Sequence, residues 1–319
     1  KDLFWIVDLA DKEMYQIEAE LLLTSEHADW YFQNEHLVTD KDLRITVQAF
    51  EESIYPTVAA HFGDERFRQA DYNHRITILH SQLRGDLAGY YSASDQYSKA
   101  IFPFSNEREI IYMDVNSPIG SEAYMGTLTH ELQHAIHWAS DPSEETWVNE
   151  GLSEVAKGLA GYEKSFIDYF TPLPNTSLTA WPLGNVSSLG HYGAASLFIE
   201  YLAQHHGGHN NLWKLVSQEE DGIAGINAYL RSLNYEITFR QVFQDWLLAN
   251  YLDNREINHY SYAGLNVGIN PTKTITGHGR HSGTVHQYAG EYIEILLEDP
   301  DIKISFAGQV ETPLLPTSA

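Results

Sequence analysis

The segment His130-Glu131-Leu132-Gln133-His134 places two histidines four positions apart within a stretch that has helical periodicity. On an α-helix, residues i and i+4 lie on one face, about one turn apart. Two imidazoles at this spacing can hold one zinc ion, and the glutamate after the first histidine can act as a base towards a water that the metal activates. The segment therefore favours a fold that turns this helix face towards a cleft, and zinc-dependent peptide-bond hydrolysis is the leading hypothesis.

The residues around this motif predict an amphipathic helix. Apolar side chains recur at steps of three and four along one side, namely Met125, Leu128, Leu132, Ile136 and Ala139. The opposite side carries His130, His134 and His137. Ser121 is suited to cap the start of the helix, and Asp141-Pro142 to end it. We expect His137, one turn beyond the ligands, to be a packed polar residue or a supporting partner and not a ligand.

A catalytic zinc ion usually takes three protein ligands, so a third ligand must come from elsewhere. The pattern H-E-x-x-H-x-x-G-x-x-H fails here, because His137 and Ser140 stand where it requires Gly and His. A glutamate on a following helix is the other option. Three carboxylates in the polar loop behind the motif helix are rival ligands: Asp141, Glu144 and Glu145.

The segment 147–154, W-V-N-E-G-L-S-E, fits the requirement for a following helix. Glu150 lies far enough beyond His134 for the chain to turn and come back to the motif helix. Glu154 follows one helical turn later on the same face and can accept the free N–H of a ligand histidine, which would fix its tautomer. We therefore predict His130, His134 and Glu150 as zinc ligands, Glu131 as the catalytic base, and Glu154 and Asn149 as supporting residues.

Composition excludes several other classes. Lys and Arg number 19 and Asp and Glu 44, and the net charge of −25 disfavours nucleic acid and anionic lipid as partners. The absence of cysteine excludes disulfides, thiol catalysis and zinc-ribbon sites. No apolar run is long enough to span a membrane. The acidic residues could hold a structural Ca²⁺ ion, although no EF-hand-like loop is present. The chain begins at Lys1 without a signal-peptide pattern, so we expect a mature, secreted protein.

The order of predicted elements favours an α+β fold with a mixed sheet before the motif helix. Strands are predicted within residues 1–38, a helix at Thr39–Ile54 ending at Pro56, strands at Arg75–Leu79 and Glu109–Val115, and a loop at Gly85–Ser98. Five helices should follow, at Glu150–Leu159, His191–His205, Asn210–Ser217, Ile223–Leu233 and Thr238–Leu252, and then a β-rich tail containing Tyr292, Ile293 and Ile295. We predict an α/β subdomain at 1–139, a helical subdomain at 140–258 and a β-rich segment at 259–319, with the substrate cleft between the first two.

H-E-x-x-H followed by N-E-G-x-x-E resembles the gluzincin metallopeptidases, the thermolysin-like group. The wider context resembles the hyicolysin family of secreted bacterial metallopeptidases. The segments that carry this resemblance are Ile54–Thr57 with Phe62-Gly63, Ile76–Leu79, Gly126–Trp138, Trp147–Glu154 and His191–Leu202. The resemblance implies a zincin catalytic domain with zinc on His130, His134 and Glu150.

Amide hydrolysis also needs a donor to the oxyanion, and we expect it from the helical half. The segment Tyr192–Leu202 is similar to the helix that carries a donor tyrosine in alanyl-aminopeptidase-type gluzincins, so Tyr192 is the candidate. His191 is the rival, because thermolysin-like enzymes use a downstream histidine for this task. Both cannot point at the metal from successive helical positions.

Three functions stay open at this stage. The first is an endopeptidase that acts on protein or peptide substrates as a monomer. The second is a gluzincin aminopeptidase, although 108–114 lacks the G-A-M-E-N segment of those enzymes, and an exposed edge strand there would favour an extended peptide. The third is a non-catalytic, adhesin-type module with a structural zinc, which has no use for Glu131. The segment His205-His206-Gly207-Gly208-His209 could hold a second metal. His278, His281 and His286 are expected at the surface.

Overall fold

The protein has a mixed α+β architecture, as the order of the elements in the sequence predicts. In a computed structural model, the described residues are 1–8, 11–34, 38–63, 75–85, 87–163, 166–182, 187–297 and 303–308. A six-stranded mixed sheet has the order β1-β2-β3-β4-β6-β5. Its strands are β1 (Asp2–Val7), β2 (Met14–Thr24), β3 (Ala28–Phe32), β4 (Ile76–Ser81), β5 (Gly89–Tyr91) and β6 (Ile110–Asp114).

The centre of the sheet is parallel and its two margins are antiparallel. Strands β3, β4 and β6 run parallel, whereas β1, β2 and β5 pair antiparallel with their neighbours. Every residue of β4 is buried, which is typical of a parallel strand covered on both faces. A small cluster containing Phe4, Ile6 and Tyr112 covers one face, and the main core with the helices covers the other.

Strand β5 corrects two sequence predictions. The segment Gly85–Ser98 was predicted to be a loop, but Gly89–Tyr91 pairs with β6 and Ala93–Gln96 forms a 3₁₀ turn. Tyr90 stacks on Tyr112 with ring centroids 4.4 Å apart, so aromatic packing stabilises a strand too short to show periodicity. The strand over 109–115 was also predicted at an exposed edge. It lies between β4 and β5, and β5 forms the edge instead.

The first helical segment is longer than predicted. Helix α1 (Asp40–Ala49) begins after Thr39, whose hydroxyl accepts the amide of Asp42. A π-helical turn, Phe50–Ile54, then leads directly into α2 (Tyr55–Phe62). Pro56 was predicted to end the helix, but it is the second residue of α2, directly after the π-helical turn, and the helical backbone continues through it.

The remaining helices are α3 (Glu122–Ser140), α4 (Thr146–Leu159), α5 (Ile167–Phe170), α6 (Leu189–His205), α7 (Leu212–Val216), α8 (Gly222–Ser232) and α9 (Phe239–Leu252). Ser121 caps α3 by accepting the amide of Tyr124, as the sequence predicts. Thr238 and Gln241 form the predicted capping box of α9. Helix α4 begins four residues earlier than predicted, at Thr146. Of the described helices, none has the length and apolarity that crossing a membrane requires.

One hydrophobic core joins the sheet and the helices. It includes side chains from strands β3, β4 and β6 and from each of the helices α1 to α9. It also reaches Ile269, which follows α9. The predicted subdomain boundaries near residues 139 and 258 stay a prediction. In the tail, β7 (Lys273–Ile275) pairs in parallel with β8 (Ile293–Ile295). Residues 298–302 and 309–319 of the predicted β-rich segment lie outside the described residues.

Candidate metal centre

Helices α3 and α4 bring three potential metal-ligand atoms together. His130 Nε2 lies 3.0 Å from His134 Nε2 and 3.1 Å from Glu150 Oε2, and His134 Nε2 lies 3.3 Å from the same oxygen. Ligand atoms bound tetrahedrally to zinc at 2.0–2.1 Å stand about 3.3 Å apart. The triangle therefore has nearly the size that a zinc ion requires. The donor set of two imidazoles and one carboxylate also fits zinc, and its fourth position would be left for a non-protein ligand.

The far sides of both imidazoles are held by hydrogen-bond acceptors. His130 Nδ1 lies 3.0 Å from Glu154 Oε1, and His134 Nδ1 lies 2.6 Å from Asn149 Oδ1. These contacts place a proton on each Nδ1 and direct each Nε2 towards the triangle. Lys157 Nζ donates to both oxygens of Glu154 at 3.0 and 3.1 Å, and so fixes that carboxylate in turn.

A close approach of two helices sets the position of α4. At Gly151, an added Cβ would stand 2.8 Å from the Ala195 carbonyl oxygen and 2.8 Å from Ile199 Cγ1 of α6. Only glycine permits this contact, because the nearest atom belongs to a backbone. Ser153, on the same helix, donates its hydroxyl to Gln133 of α3. Packing on both sides thus fixes the helix that carries Glu150.

Burial and charge act against each other in this cluster. Burial lowers the pKa of His130, but hydrogen bonds to Glu150 and Glu154 outweigh it and raise that pKa to about 10. Burial lowers the pKa of His134 as well, but the charge of Glu150, the hydrogen bond to Glu150 and the charge of Glu131 together raise it. Burial raises the pKa of Glu150, yet the two histidines bring it far below its usual range. Glu150 therefore stays anionic, and the carboxylate charge that favours a proton on the two histidines would equally favour a cation bound between the three groups.

Glu131 lies beside the triangle and makes none of its contacts. It is 7% exposed, and burial is the main cause that raises its pKa, against the lowering effect of His130 and His134. Its carboxyl group also faces the main chain of Tyr91 in β5. A buried carboxylate with a raised pKa is better able to take up a proton near neutral pH, as a general base must.

Of the two predicted oxyanion donors, only Tyr192 faces the cluster. Its ring centroid lies 6.2 Å from that of His130. Burial raises its pKa, and the charges of Glu150, Glu131 and Glu154 add to the effect, so the phenol keeps its proton and can donate it. His191 turns away, because its Nδ1 lies 3.0 Å from the Ser177 carbonyl oxygen.

The rival ligands and the other histidines lie elsewhere. Asp141 and Glu144 are grouped with His137 and not with His130. Glu145 accepts the Trp147 indole N–H at 2.7 Å. His205 and His209 contact the Ser261 carbonyl and Glu200 respectively, and across the described residues neither joins a three-ligand group. His278, His281 and His286 lie at the surface as expected.

Sequence reasoning missed two features of the site. Lys157 was not considered, although its position three residues after Glu154 on a helix was a signal for an ion pair. The approach of strand β5 to Glu131 was missed because the segment was predicted to be a loop. Comparison with known protein families finds no matching family model, and comparison with curated proteins finds no significant match.

Proposed function

We propose that this chain is a zinc metalloendopeptidase that hydrolyses peptide bonds in proteins. The observation that carries the proposal is the triangle of His130 Nε2, His134 Nε2 and Glu150 Oε2, with separations of 3.0 to 3.3 Å and with Glu131 beside it. A bound zinc ion would supply Lewis-acid chemistry, activating water and polarising the scissile carbonyl. The gluzincin and hyicolysin resemblance supports the same assignment, and a zincin fold and export from the cell are parts of this proposal.

Glu131 moves the proton in this mechanism. Its buried carboxylate takes a proton from the attacking water and passes it to the leaving amine. Burial suits it to this task, because the group must hold the proton between the two steps and the raised pKa strengthens that hold. Retention of Glu131 argues against a non-catalytic module, since a structural zinc site needs no base.

Tyr192 donates to the developing oxyanion. Its phenol faces the cluster from α6 and keeps its proton, because burial and three nearby carboxylates disfavour the phenolate. A neutral hydroxyl that faces the reacting carbonyl stabilises charge that appears only in the transition state. Trp181 and Phe166 pack against the Tyr192 ring, with centroids 4.9 and 5.1 Å away, and hold it in position.

Strand β5 would bind the substrate backbone. It is the last strand of the sheet, and Glu131 faces its Tyr91 main chain. An extended peptide can add to such an edge through main-chain hydrogen bonds, which leaves both of its ends free to continue. This arrangement favours cleavage inside a chain. It gives no support to an aminopeptidase, since Glu109, the glutamate within the segment 108–114, is 5% exposed and accepts a hydrogen bond from Gln96, which leaves it poorly placed to bind a substrate amine.

The decisive experiment is Glu131→Gln, tested with casein as an unstructured protein substrate. The variant should keep one zinc ion at this centre and lose roughly 10²- to 10⁴-fold in cleavage rate, the usual contribution of a general base. Glu122→Gln is the matched control, because Glu122 is an exposed carboxylate in the first turn of the same helix. Its activity should equal that of the wild type.

Two results would contradict the proposal. If Glu131→Gln cleaves casein as fast as Glu122→Gln, Glu131 is not the base. If the zinc-loaded wild type cleaves neither casein nor a peptide library, the chain is a binding module with a structural zinc. Cleavage restricted to the N-terminal residue of each library peptide would identify an aminopeptidase.

A further inference from the structure

A second group of potential ligands lies one turn beyond the first, at the end of α3. His137, Asp141 and Glu144 each offer a ligand atom, and these atoms lie within 4.8 Å of one another. His137 belongs to the last turn of α3, whereas Asp141 and Glu144 belong to the connection between α3 and α4. None of the three contacts the His130, His134 and Glu150 centre as a ligand.

Each carboxylate in this group has one oxygen held and one oxygen unused. Asp141 Oδ1 accepts from the amide and the hydroxyl of Ser143 at 3.0 and 2.9 Å, and Glu144 Oε1 accepts from the amides of Gly222 and Glu145 at 2.7 and 2.6 Å. Asp141 Oδ2 and Glu144 Oε2 are buried and have no hydrogen-bond partner. The held oxygens fix the orientation of both groups, and each group keeps one buried oxygen available for a ligand.

The imidazole of His137 is also unsatisfied. The residue is 0% exposed, and neither ring nitrogen has a hydrogen-bond partner. Burial lowers the pKa of His137, and the Asn149 side chain, whose Oδ1 accepts from His134 Nδ1 at 2.6 Å, lies close enough to oppose that shift. A buried polar group without a partner is destabilising, so four unsatisfied atoms on these three side chains form an unfavourable arrangement unless something binds between them.

The two carboxyl groups of this cluster have no cationic side chain beside them among the described residues. Within the part of the chain that the structure describes, neither Asp141 nor Glu144 pairs with a lysine or an arginine. Burial raises the pKa of Glu144 to about 7 despite its two amide hydrogen bonds. Two carboxylates that share a buried space repel each other, and buried carboxylates are normally paired or bound to metal.

We propose that His137, Asp141 and Glu144 bind a second divalent transition-metal ion, such as Zn²⁺ or Mn²⁺. One imidazole nitrogen and two carboxylate oxygens are donors that these ions accept. Calcium prefers oxygen ligands alone, so the histidine disfavours it. The proposal does not depend on peptidase activity, because the two centres share no ligand.

This ion would have a structural role. The amide of Gly222, the first residue of α8, donates to Glu144 Oε1, and the Ser143 hydroxyl oxygen lies 3.1 Å from Asp221 Oδ1, which it can reach in place of Asp141. The ion would therefore tie the end of α3 and the α3–α4 connection to the start of α8. That connection links the helix of His134 to the helix of Glu150, so metal at the second site would stabilise the geometry of the first.

The test is a count of bound metal. Full-length protein is stripped with a chelator, dialysed against Zn²⁺ and separately against Mn²⁺, and analysed by mass spectrometry of its metal content. The wild type should bind two zinc ions, and the double variant Asp141→Asn/Glu144→Gln should bind one. Glu219→Gln, which removes an exposed carboxylate just before α8, is the matched control and should bind two.

Counting zinc in a variant that lacks the first centre shows whether the second group binds an ion on its own. In His130→Ala/His134→Ala, one zinc ion should remain, and adding Asp141→Asn/Glu144→Gln should remove it. The proposal is overturned if His130→Ala/His134→Ala binds none, or if the folded Asp141→Asn/Glu144→Gln protein binds as many ions as the wild type. If that double variant does not fold, as judged by circular dichroism, the count in His130→Ala/His134→Ala decides alone.

Discussion

Gly151→Ala has two opposing effects on the free energy of unfolding, because it overpacks the contact between α4 and α6 and raises the helix propensity of α4. An added Cβ would stand 2.8 Å from both Ala195 O and Ile199 Cγ1, and ordinary contact begins at 3.4 Å, so the helices must separate by about 0.6 Å. Overpacking of this kind costs about 1–3 kcal/mol. Replacing glycine in a helix interior returns about 1 kcal/mol. We expect a net loss of roughly 0–2 kcal/mol in the free energy of unfolding.

Gly126→Ala is the matched control. Gly126 is also a buried helical glycine, one turn before His130, but its Cβ would meet Lys157 Cε and Tyr162 Cβ at 3.5 Å, which is ordinary contact. This variant should gain about 1 kcal/mol from helix propensity alone. The two substitutions thus make the same chemical change with opposite effects on stability.

The functional effect of Gly151→Ala should exceed its effect on stability. Glu150 is adjacent to Gly151, and a displacement of several tenths of an ångström moves its carboxylate relative to the two histidines. Misplacement of about 1 Å in an active site can cost 10²-fold in rate. We expect at least a roughly tenfold loss in zinc affinity and in casein cleavage.

Both variants are compared by urea unfolding and by competition for zinc with a chromophoric chelator. The reasoning is refuted if Gly151→Ala unfolds at the same urea concentration as Gly126→Ala and binds zinc as tightly as the wild type. A loss of stability without loss of zinc affinity would show that α4 adjusts elsewhere and leaves Glu150 in place.

Three further predictions concern single side chains. Burial lowers the pKa of His80 from 6.5 to about 4, so on acidification the imidazole takes up a proton in the unfolded chain before it does so in the folded protein. The free energy of unfolding should therefore fall by up to about 3 kcal/mol as the pH drops from 6.5 to 4. His80→Gln should flatten this loss in urea unfolding measured across that range. Glu154→Gln should weaken zinc binding about 10- to 100-fold in chelator competition, and an unchanged affinity would remove its orienting role. Thr238→Ala should cost about 1 kcal/mol in thermal unfolding by removing the α9 capping box, and an unchanged midpoint would contradict that.

The grouping of His130, His134 and Glu150 could be predicted largely from sequence, because helical spacing is a strict geometric rule. His130 and His134 at i and i+4 lie on one face, and Glu150 and Glu154 at the same spacing face them from the next helix. Spacing alone could not show which carboxylate contacts which histidine. Glu154 was predicted as a supporting acceptor without a histidine assigned to it, and only the packing of the two helices joins it to His130 and not to His134.

The rest of the site depends on contacts between distant segments. Strand β5 has three residues, too few for a period, and it exists because of its pairing with β6. Asp141 and Glu144 were suitable ligands by type, yet the direction of their loop brings them to His137. Pro56 was expected to end a helix, but a π-turn stands directly before it and the helical backbone continues, and the single-residue signal of a proline does not report such a turn. In these cases the local sequence indicated suitable residue types, but it did not indicate the path of the chain that brings those residues to their neighbours.

Gly89 joins the outermost strand of the sheet to the helix of Glu131. A methyl group there would stand 2.9 Å from Thr127 Cγ2 and 2.8 Å from the Tyr112 carbonyl oxygen, so strand and helix are held at a constant offset. On the proposed function, this offset would hold a polypeptide paired with β5 at a constant distance from the carboxylate of Glu131. A shift of that polypeptide by one residue would keep its main-chain pairing and would turn each of its side chains to the opposite face.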